Sequence, residues 1–421
     1  MRMRSIHLTM AGLVLLLAGH TGAQPADPPA TEPAATTELR RGAFQETFTE
    51  RDPRSPIEAQ NQRYHVPTDG LQRYELAEHG FEVYVPEDYD PQQTYGILAW
   101  ISAGGRGGMP RGWREVMDKQ HLIFVGANDS GNEKGIAVRF GLAMDAVHNL
   151  RSRYNIDDSR VYAAGNSGGG KIASMLFVLY PEIFRGAVPI VGVTYFRPIT
   201  LRDDPKRGWL PSYSPPPTAT LNRAKELSRI VMITGTNDMN RDSIRDAYER
   251  GFLVDGFKFV NYIEVEGMGH TTPAAEYMDQ AIALLDKPLP DLCPRMLELG
   301  QQLQRSSKRD EAQSLYHAVI LHGDPRLAGR AQELLDRLGP VLNAPVKSSI
   351  SAGPLPATRP ASPALSRDAQ AESILSLAEN YERNLLFTQA KQRAQQIVHD
   401  YADTPAAEKA RGMIRRIDSR H

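Results

Sequence analysis

Short apolar runs and longer amphipathic segments alternate through the middle of the chain. The apolar runs have the length of buried strands and lie at residues 96–102, 122–126, 161–164, 187–191, 230–234 and 259–265. Segments with apolar residues at helical spacing lie among them, at residues 136–154, 171–180, 241–252 and 273–285. This alternation predicts an α/β fold, with a mostly parallel sheet and helices on both of its faces.

The segment before this region is less apolar and carries other signals. Residues 74–85 alternate between apolar and polar around His79 and Gly80, which predicts a β-hairpin. Ordered structure is expected to begin near Phe44. Residues 24–43 are rich in Pro, Ala and Thr and have little to bury, so they are interpreted as a disordered spacer.

The first residues have the pattern of a secretory signal. Arg2 and Arg4 precede an apolar run at residues 8–19, and the small residues 21–23 then offer a cleavage site. The run is short for a bilayer span, and a retained membrane anchor is the alternative. The pattern predicts a signal peptide over residues 1–23, an exported protein that is periplasmic or secreted, and no membrane span after cleavage.

The C-terminal third has a different pattern, in which two stretches look like copies of one helical hairpin. Ala312 and Val319 in the first stretch align with Ala390 and Ile397 in the second. The stretches resemble tetratricopeptide-type repeats, and two alternatives follow: a module that binds another protein, or hairpins that pack on the rest of the chain or on each other. The predicted boundaries are 44–288 for the α/β domain, 292–338 for the first hairpin, 339–368 for a linker rich in Pro, Ala and Ser, and 369–421 for the second hairpin.

The join between the α/β domain and the first hairpin has its own signal. Residues 287–293, KPLPDLC, contain two prolines and follow a helix that completes the predicted sheet. Proline lacks a backbone N–H, so few hydrogen bonds are expected to cross this join. A protein ending near Pro288 is therefore expected to fold without the hairpins.

Composition and charge exclude several classes of protein. A chain of 421 residues suggests roughly two or three structural units. It has 49 Lys and Arg against 50 Asp and Glu, so its charge indicates no nucleic-acid partner. Cys293 is the single cysteine, so no intramolecular disulfide can form. The sequence predicts neither a cofactor nor a metal site.

The strand at residues 161–164 leads into the motif GNSGG, a form of the GxSxG nucleophile elbow. In such a turn a strained backbone holds a hydroxyl, here that of Ser167, exposed at the carboxyl end of a strand. Gly165 and Gly169 leave room where strand and helix cross, and Gly168 leaves its backbone N–H open to a substrate oxygen. A glycine-rich turn that merely contains serine is the alternative, so the surroundings of the motif must decide.

Two further polar residues follow later strands of the predicted sheet. Asp238 comes shortly after the strand at 230–234, and His270 lies in the loop after the strand at 259–265. Because the carboxyl ends of parallel strands meet at one edge, both are expected beside Ser167. A serine nucleophile needs an imidazole to take its proton and a carboxylate to orient that imidazole. The order Ser, Asp, His predicts a catalytic triad, although Asp238 alone could be a helix N-cap and His270 alone a loop residue.

The chain resembles the α/β-hydrolase superfamily, and within it the secreted esterases and polyhydroxybutyrate depolymerases, over about residues 74–285. The motifs that carry the resemblance are GNSGG at residues 165–169, GTND at residues 235–238 and GH at residues 269–270. It implies that Ser167 is the nucleophile, His270 the general base and acid, and Asp238 the orienting carboxylate. GxSxGG is also similar to the elbow of prolyl-oligopeptidase-type peptidases, but the residues ahead of the sheet are too few to build their propeller.

A glycine cluster at residues 103–108 follows a buried strand and can present backbone N–H groups to an oxyanion. Where the family usually has His-Gly, this chain has Ala103-Gly104 and so departs from the pattern. Donation by backbone N–H does not need the histidine. The resemblance therefore implies an oxyanion hole made by Gly105 and Gly168.

The long insertion at residues 194–224 carries aromatic residues with two interpretations. Phe196, Trp209 and Tyr213 either stack on a substrate or pack the insertion onto the domain. The sequence as a whole predicts an exported serine hydrolase that cleaves a small-molecule or polymeric ester. A peptidase and a catalytically silent hydrolase fold used for binding are the alternatives.

Overall fold

The computed structural model describes residues 39–64, 73–200, 208–209, 211–339 and 387–419, with helical positions 367–368, 371–372, 375 and 378–379. The predicted signal peptide, nearly all of the predicted spacer and most of the predicted linker lie outside the described residues. Among the helices of the described part, none is both long and apolar enough to cross a membrane.

An eight-stranded sheet forms the centre of the described structure, in the order β1-β2-β4-β3-β5-β6-β9-β10. Its strands are β1 Gly42–Thr47, β2 Gly80–Val85, β3 Tyr95–Ile101, β4 Leu122–Ala127, β5 Ile156–Asn166, β6 Gly186–Ile190, β9 Arg229–Gly235 and β10 Phe259–Val265. A separate ribbon consists of β7 Ile199–Thr200 and β8 Gly208–Trp209. β2 pairs antiparallel with β1 and with β4, and the remaining pairings of the large sheet are parallel.

Helices cover both faces of this sheet, and each face has its own core. They are α1 Ile57–Tyr64, α2 Arg114–Lys119, α3 Ile136–Arg153, α4 Gly168–Leu179, α5 Thr218–Leu227, α6 Arg241–Asp246, which continues as a π-helix over Ala247–Phe252, and α7 Ala275–Asp286. Apolar side chains of α3, α4 and α5 pack in one cluster, and those of α2 and α7 pack in the other. Because helices cover the central strands on both sides, β3 and β9 are buried at every position and mostly apolar. This arrangement confirms the predicted α/β fold class and is that of an α/β-hydrolase.

The hairpin predicted for residues 74–85 is wrong. A short 3-10 helix, Leu76–Glu78, precedes β2, and the antiparallel partner of β2 is β1, with Gly42 opposite Val85. The α/β domain thus begins before Phe44, because β1 includes the last two residues of the segment interpreted as spacer. β1 is an edge strand whose residues are mostly half-buried or exposed, so it lacks the apolar run that marks the central strands.

Three helices, rather than a two-helix hairpin, follow the α/β domain. They are α8 Leu289–Arg305, α9 Arg309–His322 and α10 Pro325–Leu338, here called the first helical unit. α8 begins almost directly after α7, so Pro288 of the predicted join is the N-cap of α8 and Pro290 lies in its first turn. The first N–H groups of a helix need no intrahelical partner, and proline is therefore compatible with a helix start. The proline signal marked the start of a helix and not a flexible boundary.

The first helical unit packs on the α/β domain. Leu227 of α5 belongs to the same apolar cluster as the buried side chains of α8, α9 and α10. Glu311 on α9 forms an ion pair with Arg223 of α5, and Nε2 of His322 lies 2.7 Å from a carboxylate oxygen of Asp157 on β5. Of the two alternatives for this segment, packing on the rest of the chain is the one observed.

A buried arginine shows how closely the two parts fit. Arg185 is 2% exposed, and its guanidinium donates to Pro181 O (2.9 Å) and to Ser314 Oγ on α9 (3.3 Å). Burial is the main reason that its pKa falls to about 9. Burial alone would raise the pKa of Asp157, but the hydrogen bond and charge of His322 bring it below its usual value. Both groups depend on α9 for their surroundings.

Ending the protein at Pro288 is therefore expected to leave it insoluble or only partly folded, contrary to the expectation from the join. The change exposes Leu227 and removes the His322 partner of Asp157 and the Ser314 partner of Arg185. Ending it at Gly339 keeps α8 to α10 and is the matched control, which should unfold cooperatively. Soluble yield and thermal unfolding by circular dichroism measure the difference. A cooperatively folded protein ending at Pro288 would show that the interface contributes little.

The second helical unit consists of α11 Phe387–Asp400 and α12 Pro405–Asp418. It has its own apolar cluster, in which Ala390 and Ile397 contact residues of α12. Both are buried, as are Ala312 and Val319, with which they align in sequence. The tetratricopeptide likeness remains a prediction.

Candidate active site

Ser167 stands at a sharp turn between β5 and α4. Its φ is 53°, in the left-handed region that a non-glycine residue rarely adopts. Its N–H donates to Ile190 O of β6 (2.8 Å), and its carbonyl accepts from Lys171 N in the first turn of α4 (3.1 Å). These bonds hold the strained residue so that its hydroxyl faces the carboxyl edge of the sheet.

Two glycines of the motif are closely surrounded by other atoms. A Cβ on Gly165 would lie 2.5 Å from the carbonyl carbon of Gly169, where β5 and α4 cross. A Cβ on Gly168 would lie 1.9 Å from Oδ1 of Asn132, a residue of the loop between β4 and α3. No side chain fits at either position without moving its neighbours.

The structure brings the three predicted side chains together. His270 Nε2 lies 2.8 Å from Ser167 Oγ, and His270 Nδ1 lies 2.7 Å from Asp238 Oδ1. The side chain of Asp238 is fully buried, whereas that of His270 is 27% exposed. Three loops supply them, after β5, β9 and β10, so the row exists only once the parallel strands are aligned.

Asp238 accepts further hydrogen bonds besides its contact with the imidazole of His270. Thr234, buried on β9, donates its hydroxyl to Asp238 Oδ2 (2.7 Å). The backbone N–H of Asn240 donates to Oδ1 at 3.2 Å. Both oxygens of the buried carboxylate thus have a donor, which fixes the plane of the group that faces His270.

Replacing Thr234 with Val is expected to lower kcat about 10-fold, because a lost hydrogen bond to a charged group is worth about 1.5 kcal/mol or more. The KM should change little, since Thr234 is buried behind Asp238. Thr234→Ser keeps the hydroxyl and should restore most of the rate. Steady-state kinetics of both variants test the assignment. Equal rates for Val and Ser would mean that Thr234 only fills space.

The predicted oxyanion loop lies beside the elbow. Ala103 N donates to Oδ1 of Asn166, the residue before Ser167 (3.2 Å). The carbonyl of Gly105 accepts from Asp129 N (2.7 Å), which ties the loop after β3 to the loop after β4. Gly105 is exposed, and Gly168 is the first residue of α4. Gly168 therefore borders the turn that carries Ser167, and the loop of Gly105 contacts the elbow through Ala103.

A buried arginine forms hydrogen bonds to the loops after β3 and β4. Arg139 on α3 is 5% exposed and donates to Ser130 O (2.9 Å) and to Ser102 O (2.9 Å). It also donates to Asn132 Oδ1 (3.4 Å). One side chain thus holds the loops after β3 and β4 at a fixed separation.

The predicted substrate-binding aromatic residues do not share one environment. Phe196 is 3% exposed in the main core, with its ring near those of Tyr213 and Phe257. Tyr213 packs against the same core. These two residues hold the insertion on the domain, which is the packing interpretation, and a contact of either with substrate stays a prediction. Trp209 is 45% exposed and donates its indole N–H to Asp246 (3.3 Å), so it remains available to a ligand.

Sequence reasoning missed Asn132, Thr234 and Asn240. Thr234 had a weak signal, as the one polar residue in the apolar strand IVMIT. Asn132 and Asn240 lie in polar loops where asparagine is common, so nothing in the sequence distinguishes them. In the described part of the chain, no group of three or more His, Cys, Asp or Glu residues could hold a metal ion.

Comparisons with known proteins give partial matches. No family model matches the chain. A stretch of 49 residues is 41% identical to poly(3-hydroxyalkanoate) depolymerase C of Paucimonas lemoignei, and it spans 12% of this chain and 12% of that protein. The feruloyl esterase module of Clostridium thermocellum covers 49% of this chain and 82% of its own at 13% identity and a TM-score of 0.36. Esterase 2 of Thermogutta terrifontis covers 52% and 92% at 17% identity and a TM-score of 0.37.

The sheet order, the helices on both faces and the strained serine between β5 and α4 define the class. The protein has the α/β-hydrolase fold, with a serine, a histidine and an aspartate in hydrogen-bonding contact at the carboxyl edge of its sheet.

Proposed function

We propose that the protein is an exported carboxylic-ester hydrolase that works through an acyl-enzyme. The observation that carries the proposal is the continuous row from Ser167 Oγ to His270 (2.8 Å) and from His270 to Asp238 (2.7 Å). A serine alone is a weak nucleophile, and this row supplies the base and the orienting carboxylate that it needs. The short stretch similar to a polyhydroxyalkanoate depolymerase supports an ester as the substrate.

In the proposed reaction, Ser167 Oγ attacks the ester carbonyl carbon while its proton passes to His270 Nε2. The negative charge on the carbonyl oxygen is stabilised by the N–H groups of Gly168 and Gly105. As the carbon–oxygen bond breaks, the imidazolium protonates the departing alkoxide, which leaves as the alcohol. A water molecule then attacks the acyl-enzyme with His270 again as base, and the free acid and Ser167 result. Asp238 stabilises the imidazolium in both halves.

A panel of acetyl, butyryl, feruloyl and hydroxybutyrate esters, with a peptide anilide for comparison, tests the proposal on the purified full-length protein. Hydrolysis of at least one ester, with little or no anilide cleavage, is the expected result. Faster cleavage of the anilide would make the protein a peptidase. Labelling by a fluorophosphonate at Ser167, located by mass spectrometry, separates an active enzyme from a catalytically silent fold.

Export is tested independently of activity. When the full chain is expressed in a bacterial host, the mature protein is expected in the periplasm or medium with Gln24 as its first residue. An uncleaved N-terminus in the membrane fraction would favour the anchor.

Partner binding stays a proposal only for the second helical unit, because the first helical unit is packed on the α/β domain.

A further inference from the structure

Asn132 lies directly against the turn that carries Ser167. Its carboxamide occupies the space where any side chain on Gly168 would have to stand, with Oδ1 only 1.9 Å from the position of an ideal Cβ there. Gly168 is the residue whose N–H is proposed to bind the oxyanion. The amide nitrogen Nδ2 lies 3.0 Å from the same position, so both ends of the carboxamide are next to the residue that would bind the substrate oxygen.

The orientation of this carboxamide follows from its neighbours. Arg139 can only donate hydrogen bonds, so the atom of Asn132 that faces Arg139 Nη1 at 3.4 Å is the oxygen. The backbone N–H of Asn132 donates to Ala103 O (3.0 Å), which fixes the base of the side chain. With Oδ1 directed to Arg139, the amide Nδ2 is directed away from it.

The Nδ2 group of Asn132 is able to donate further hydrogen bonds. Within the part of the chain that the structure describes, it donates to no acceptor, and the residue is only half-buried. Arg139, which holds the oxygen end, is itself buried and tied to the loops on both sides. A donor that is held rigidly, reaches solvent and lies against the elbow is suited to bind a developing negative charge.

We propose that Asn132 Nδ2 is a third hydrogen-bond donor to the carbonyl oxygen of the bound ester, beside the N–H groups of Gly168 and Gly105. The inference rests on the proposed ester hydrolysis. It extends that reaction with a catalytic side chain on the loop between β4 and α3. It also gives a reason for glycine at position 168, since the amide must fill the space of the missing side chain.

Asn132→Asp is the sharpest test, because aspartate has nearly the same shape and accepts from Arg139 at least as well. A purely structural role predicts unchanged activity. A donor role predicts that kcat falls about 10²–10³-fold, as for other oxyanion donors, with KM changed by less than about threefold. Asn132→Ala, which adds no charge, should lose a similar factor. Asn222→Asp, the same change on an exposed position of α5, is the matched control and should behave like wild type.

Two measurements keep the result unambiguous. Activity is compared at the plateau of each pH profile, because a new carboxylate at position 132 adds a charge near the site. The rate of labelling by a fluorophosphonate gives a readout that does not depend on finding the right ester. An Asn132→Asp variant with at least one third of wild-type kcat and labelling rate overturns the inference. A wild-type protein that is labelled but cleaves no ester contradicts the ester proposal alone, and one that is neither labelled nor active contradicts both.

Discussion

Ser167→Ala is expected to abolish ester hydrolysis while leaving the fold intact. In the proposed reaction the Ser167 hydroxyl is the group that attacks, and removal of such a serine costs about 10⁶-fold in kcat. The substitution removes one hydrogen bond to a partly exposed histidine, so the free energy of unfolding should change by about 1 kcal/mol or less. Initial rates on the best ester and thermal unfolding measure the two effects.

The control for this variant is Ser306→Ala, which removes a hydroxyl at the exposed end of α8. It should match wild type in rate and in labelling by a fluorophosphonate. Ser167→Ala should take up no label. If Ser167→Ala kept even one tenth of wild-type activity, the nucleophile would have to be another residue.

Asp238→Ala is expected to lower kcat about 10⁴-fold, as loss of the aspartate does in comparable triads. His270 then loses both the acceptor that orients its ring and the charge that stabilises its protonated form. Alanine is a sharper test than asparagine here. The Thr234 hydroxyl can accept as well as donate, so an asparagine could place its NH₂ on Thr234 and keep its oxygen on His270.

Asp242→Ala provides the matched control, since Asp242 is an exposed carboxylate one turn further along the chain. It should retain wild-type kcat. A loss of only a few fold in Asp238→Ala, together with a large loss in Asp242→Ala, would move the orienting role to Asp242. Circular dichroism of both variants should show folded protein, because the cavity left by Asp238 is small and partly polar.

Much of this site could be predicted because each part has a local cause. Gly165 and Gly169 of GNSGG leave room where α4 crosses the strands, and each stands two residues from Ser167 in the chain. The apolar strands of the central sheet are continuous in sequence because helices bury both of their faces. Asp238 and His270 follow two such strands, and parallel strands present their carboxyl ends on one edge.

Other features depended on contacts between segments that are far apart in sequence. β1 pairs with β2 across two intervening helices, and β1 is an edge strand with mostly half-buried or exposed residues, so a local hairpin was the wrong expectation. The prolines before α8 signal a break in any local analysis. Whether they begin a flexible join or a packed helix depends on Leu227 and on the ion pairs between α5 and the first helical unit.

The residues proposed to react have local sequence signals, whereas the residues around them depend on contacts between distant segments. Ser167, Asp238 and His270 belong to motifs in which neighbouring residues constrain the backbone, so their residue types and order identify them. Phe196 and Trp209 belong to one insertion and look alike in sequence, yet one is in the core and the other is exposed. Asn132 and Thr234 acquire their positions only when loops and strands from distant parts of the chain meet, since a single hydrogen bond leaves no periodic pattern in the sequence.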